Sequence, residues 1–235
     1  MQPNLLAALA LLGAAIVLPS AAHSAAERSP LAVLTPAVPQ TFVVYAGDLF
    51  VPAESLFDSK KNDKLQKLAQ SSGYSVADKF RAQVIQALRT DGWDVLELDM
   101  TRPAVGAPVR RENYPADSNG RPMLDLTVQA IGLVAGRWGR LSSYRPLINV
   151  SYRLVDKDGH LLRPSLPISY CHPGLLCAPG AVASRMAAVD EKLDCAFGSF
   201  SAVESEPARV FACFDSGLVS IAQKLAADLN ESGLH

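Results

Sequence analysis

Apolar residues fill positions 5 to 18 (LLAALALLGAAIVL) without a single charge. At about 1.5 Å of rise per residue this run would span roughly 20 Å, less than the roughly 30 Å of a bilayer core. Pro19 ends it and small residues follow through Ala26, the order of a removable secretory signal cut after Ala22, Ser24 or Ala26. Met1 to Asn4 bring no Lys or Arg, so an uncleaved anchor is the competing reading. No Cys precedes Cys171, which leaves the expected mature start without a thiol for lipid attachment. Residues 27 to 40 (ERSPLAVLTPAVPQ), with Pro30, Pro36 and Pro39, read as an extended tether. The expected division is a signal peptide at 1–26, a tether at 27–40 and one domain at 41–235.

Inside the domain the pattern switches between the periods of strands and helices. Thr41 to Gly47 (TFVVYAG) is a short β-branched and aromatic run closed by Gly. A short helix is expected over 63–70, stopped near Gly73. Ser75 and Asp78 then form a capping box, and Val76, Phe80, Val84, Ala87 and Leu88 make an apolar stripe ending near Gly92. Leu96, Leu98 and Met100 alternate with Glu97 and Asp99, as in a strand. Strand, helix and strand at this length predict a crossover unit with parallel strands.

Residues 101–122 are rich in proline and lack periodicity, which predicts a long loop, mildly basic through Arg102, Arg110, Arg111 and Arg121. Alternation returns at Leu124 to Ala130 and at Ile148 to Leu154. The stretch between them, with Gly132, Gly136 and Gly139, should leave the sheet and turn through solvent. A turn at Asp156 to Gly159 leads to a strand over Leu161 to Tyr170, which Pro164 and Pro167 restrict to a sheet edge. The remainder reads as helical, one segment marked by Val182, Met186, Val189 and Leu193, the last by Val210, Phe214, Leu218, Ile221, Leu225 and Leu229. The sum is an α+β two-layer sandwich: a mixed, mostly antiparallel sheet covered by helices, with an N-terminal β-α-β unit.

Composition narrows the function. The net charge of -1 argues against bulk electrostatic binding of nucleic acid. Cys171, Cys177, Cys195 and Cys213, an even number in an exported chain, read as two disulfides with three possible connectivities. Pairing of neighbours, Cys171–Cys177 and Cys195–Cys213, is favoured because each closes a short loop. A metal site from Cys171, His172 and Cys177 is disfavoured by its spacing and by the compartment, and no metal or cofactor is expected.

Motifs for catalysis are sparse. There is no G-x-S-x-G, H-E-x-x-H, P-loop or G-x-G-x-x-G. Ser199 lacks the second Gly of a nucleophile elbow, His160 follows a turn, and His172 adjoins a cysteine. Glu97 and Asp99 share a strand face at a separation that acid–base pairs use. The better signal is a basic and aromatic group, Arg137, Trp138, Arg140 and Tyr144 in one Gly-rich connection, with Arg110 and Arg111 in the long loop. Guanidinium forks match carboxylate and phosphate oxygens, and Trp supplies rigid contact area. Asn149-Val150-Ser151 and Asn230-Glu231-Ser232 match the glycosylation pattern, relevant only to a eukaryotic secretory route. The chain reads as an exported, soluble, non-catalytic accessory protein of the bacterial envelope, acting on a protein or envelope component. The alternative is an envelope hydrolase using His172 or the Glu97/Asp99 pair.

Overall fold

The first strand forms inside the stretch expected as a tether. Leu31-Ala32-Val33-Leu34 is a proline-free apolar run, and as β1 (Leu31–Leu34) all four side chains are at most 2% exposed. The tether reading is corrected there: the prolines flank the strand and do not keep it out of the fold. The structure, a computed structural model, describes residues 30–47, 58–103, 105, 114–116, 118–136, 143–171 and 185–231.

The chain continues with β2 (Val43–Gly47), α1 (Ser59–Ser71), α2 (Val76–Thr90), β3 (Val95–Leu98), β4 (Met123–Gly136), β5 (Tyr144–Val155), β6 (Leu161–Cys171), β7 (Arg185–Met186), α3 (Phe200–Ser205) and α4 (Pro207–Glu231). One mixed sheet runs β3-β1-β4-β5-β6-β7, with β2 also paired to β4. β1 and β2 lie along the same side of β4, β1 beside Met123–Leu124 and β2 beside Gly132–Gly136, with an isolated bridge from Ala37 to Thr127 between them. Pro36 and Pro39 sit at this break, where a missing N–H costs the ladder least. The strand parallel to β3 is therefore β1, not the 41–47 run. β4, β5 and β6 form the antiparallel meander. The mixed, mostly antiparallel sheet covered by helices bears out the α+β expectation.

Gly132 does not lead out of the sheet. β4 continues through Gly136 because β2 supplies it with a parallel partner. A Cβ at Gly132 would stand 1.7 Å from the Val43 carbonyl oxygen, so the residue lacks a side chain to let β2 approach. The far edge of β2 is closed by side chains of α1. Asn62 Oδ1 accepts from the Val44 N–H at 2.6 Å and Gln66 Oε1 from the Phe42 N–H at 3.2 Å. The Asp58 N–H donates to the Val44 carbonyl at 3.2 Å.

α2 forms as its stripe predicts: Ser75 Oγ accepts from the Asp78 N–H, and Val76, Phe80, Val84 and Leu88 are buried. α4 lays Val210, Phe214, Leu218, Ile221, Leu225 and Leu229 into the same core. Its length and composition would suffice to cross a membrane, but this apolar side is the one that faces the sheet. A Cβ at Gly217 would come within 2.7 Å of Ile148, so α4 comes close to the sheet there.

The helix expected around 182–193 is absent from its described part. Arg185 and Met186 form β7 beside β6, and a loop follows to α3. Asp190 and Asp194 explain the loop: each turns its carboxylate onto a backbone N–H two residues on, of Lys192 at 3.0 Å and Ala196 at 3.1 Å. Such local bonds compete directly with the helical ladder. Ser199, set aside as a nucleophile, caps α3 by accepting from the Ala202 N–H.

Candidate functional site

Strand directions bring three connections to one end of the sheet. β2 and β4 finish there side by side at Gly47 and Gly136, β5 starts opposite Ala135, and β6 finishes at Cys171. The connections 48–57, 137–142 and 172–184 thus all leave from this end, an arrangement in which a rigid scaffold carries its loops together. Arg137, Trp138 and Arg140 fall in the second of them and His172 and Cys177 in the third, all outside the described residues, as are Arg110 and Arg111.

Tyr144 opens β5 at this end and is engaged from several sides. Its backbone exchanges hydrogen bonds with Phe197 at 2.8 and 3.0 Å, and its ring meets Phe200 edge-on at 5.6 Å. The Lys61 ammonium stands 5.5 Å from the ring centroid and pairs with Asp58 at 2.7 Å. That hydrogen bond holds the Asp58 carboxyl below its ordinary range, and bonds to Asp58 and Tyr144 hold Lys61 above its own. Tyr144 is thus half-buried packing between α1 and α3, although its neighbours in sequence suggested a contact residue.

Next to it lies a cavity of about 370 Å³, lined by Arg145, Pro146, Tyr170 and the loop Val189 to Ala196. The loop is fastened twice. Cys195 is disulfide-bonded to Cys213 on α4. Arg209, one turn earlier on α4, donates to the Asp194 carbonyl at 3.0 Å and the Ala196 carbonyl at 2.7 Å, and lies 4.4 Å over the Phe197 ring. Cysteine spacing pointed to the first fastening; a lone arginine carries no such signal, and the second was missed. Cys171 is also disulfide-bonded, with its partner outside the described residues. The Arg145 side chain makes no hydrogen bond or ion pair with any described residue, and the residue is half-buried.

The other charged groups that bear on a candidate site are paired among the described residues. Glu97 pairs with Arg89 at 3.1 Å and Asp99 with Arg81 at 2.6 Å, so both acids tie β3 to α2. Arg81 keeps the Asp99 carboxyl below its ordinary range, the wrong direction for a general acid. Asp125, 1% exposed on the sheet face away from the helices, takes Arg102, Arg153 at 2.7 Å and the Tyr114 hydroxyl at 2.7 Å. Arg102, read as part of a basic loop surface, is thereby an internal group. Arg121 is tied likewise, to Asp94 at 3.0 Å. Asp228 is fully buried on α4 and receives Arg185 at 2.6 Å and Lys224 at 3.0 Å. Asp156, Asp158 and His160 cluster in an exposed turn, where Asp156 accepts the N–H groups of Asp158 and His160. Neither glycosylation match is a free surface asparagine: Asn149 is buried in β5, and Asn230 bridges the Trp93 indole and Asp91.

Exposed Leu161, Leu162 and Met186 border the outer side of β6, which β7 covers only at Ile168 and Ser169. Pro164 and Pro167 lack the N–H that an added strand would need, so this edge is blunted against pairing.

Neither a family model nor a curated protein matches the sequence. Among solved structures, protein XCC0632 of Xanthomonas campestris, of the DUF330 family, is 13% identical with a TM-score of 0.43, over 88% of this chain and 86% of that one. The hypothetical protein CT253 of Chlamydia trachomatis is 7% identical with a TM-score of 0.39, over 88% of this chain and 96% of its own. Lipoprotein GNA1162 of Neisseria meningitidis is 15% identical with a TM-score of 0.28, over 62% and 82%. Likenesses this loose say nothing of what the chain binds or does.

Proposed function

We propose that this is an exported accessory protein of the bacterial envelope that works by binding a protein or envelope component through the loop-bearing end of its sheet. The observation that carries the reading is Arg145: a half-buried cation whose side chain has no partner among the described residues, beside a cavity, at the end of the sheet where β2, β4 and β6 finish. Elsewhere the buried acids have their cations. The apolar leader supports export, and the Cys195–Cys213 bond supports an oxidising compartment. Arg137, Trp138 and Arg140 follow directly on Gly136, where β4 ends. The hydrolase alternative gains nothing from Glu97 and Asp99, each held in an ion pair.

The test uses a deletion strain and its complementation. Intact mass of the exported protein should show loss of about the first 22 to 26 residues. Trp138→Ala combined with Arg145→Ala should leave the thermal midpoint within about 2 °C, as for surface changes away from the core, and should abolish complementation. Full complementation by the double variant, or a fall in midpoint on the scale of a core Trp truncation, overturns the reading.

A further inference from the structure

The cavity beside Arg145 has the makings of a ligand site whose chemistry can be worked out from its lining. A guanidinium that is half out of water and has no counter-ion among the described residues gains most from an anion brought to it. Its neighbours are already answered or solvated. The Asp194 carboxylate accepts the Ala196 N–H at 3.1 Å and faces Arg209 at 3.3 Å. Asp190, Glu191 and Lys192 are exposed on the rim, where salt screens them. Pro146, Val189 and Leu193 give the cavity apolar walls.

Charge then selects among anions. Taking a doubly charged phosphate out of water costs more than taking out a singly charged carboxylate, and Arg145 is one cation to set against it. The volume of about 370 Å³ lies near the lower end of ligand pockets, roughly 300 to 1,000 Å³. The disulfide and Arg209 hold the loop that forms one wall, so little ordering is left to oppose binding.

We propose that this cavity binds a monocarboxylate carrying a small aliphatic body, with the carboxylate in the fork of Arg145. Such a group occurs at the C-terminus of a peptide ending in an aliphatic residue and in a free branched-chain acid. The inference rests on the reading of this sheet end as the binding end.

The experiment is an NMR titration of the mature chain with N-acetyl-leucine, N-acetyl-leucinamide and 4-methylpentanoate. N-acetyl-leucine should shift the amides of 145 and 189–196 saturably, with a Kd on the order of 1 mM as its size permits. The amide should bind at least tenfold more weakly. Comparable binding of 4-methylpentanoate supports the free-acid source, and a clear preference for N-acetyl-leucine supports a peptide terminus. Arg145→Gln should lose the response, Arg145→Lys should weaken it, and Arg121→Gln should leave it unchanged. Equal binding of the amide, an unchanged response in Arg145→Gln, or no saturable shift of these amides overturns the proposal. If the titration fails while the Trp138/Arg145 variant still fails to complement, the ligand class is wrong and the binding end stands.

Discussion

Asp125→Ala removes the one anion shared by Arg102, Arg153 and the Tyr114 hydroxyl. The consequences differ by partner. The Arg153 side chain is 33% exposed and can turn to water, while that of Arg102 is only 9% exposed and cannot. Stranding a buried charge in this way costs about 3 to 5 kcal/mol. Arg102 keeps a hydrogen bond to the Leu126 carbonyl at 2.9 Å, which places the expected loss near the low end, about 3 kcal/mol. For a chain of this size that is a fall in midpoint of roughly 6 to 12 °C. Urea unfolding followed by circular dichroism should show a lower midpoint concentration at unchanged slope. Asp125→Leu combined with Arg102→Met should restore most of the loss, because no charge is then left buried without a partner. A cost below about 1 kcal/mol for Asp125→Ala, or a double variant as unstable as the sum of the singles, refutes the reasoning.

Replacing both Cys195 and Cys213 with Ala opens a crosslink of 18 residues and should cost about 3 kcal/mol in the chain-entropy account, read by urea titration. Gly132→Ala should separate β2 from β4, read as lost hydrogen-exchange protection at Val43 to Gly47 with the meander still protected. The Tyr74 and Tyr114 hydroxyls are held above the ordinary tyrosine range, first by burial and then by Asp215 and Asp125 respectively. A raised folded pKa stabilises below the unfolded value, so stability should fall as pH rises past 10, with a shallower slope in Tyr74→Phe.

Legibility followed the amount of local pattern. The Ser75 cap and its stripe specified α2, and alternation at Leu124 to Ala130 and Ile148 to Leu154 specified the meander, because each signal repeats over several residues. Isolated residues misled. Gly132 was read as an exit from the sheet, since the missing side chain that permits a turn equally permits a close strand, and sequence does not separate the two. The prolines around Leu31–Leu34 masked a central strand for a similar reason: proline marks an end, not what lies beyond it. Val182, Met186, Val189 and Leu193 had helical spacing, but Asp190 and Asp194 gave the backbone other partners. At the candidate site Tyr144 was found without its role, and Arg145 and Arg209 were missed, because each acts through neighbours distant in sequence.

The closing of β2 by amide side chains of α1 has a consequence for how this protein should age in solution. α1 buries only Leu65 and Ala69, so it can fray while the sheet stays folded. Fraying withdraws Asn62 and Gln66 and uncovers the edge of Val43–Gly47, an uncharged and β-branched sequence. Loss of protein on storage at high concentration should then track the helicity of α1, and substitutions that strengthen α1 should slow it.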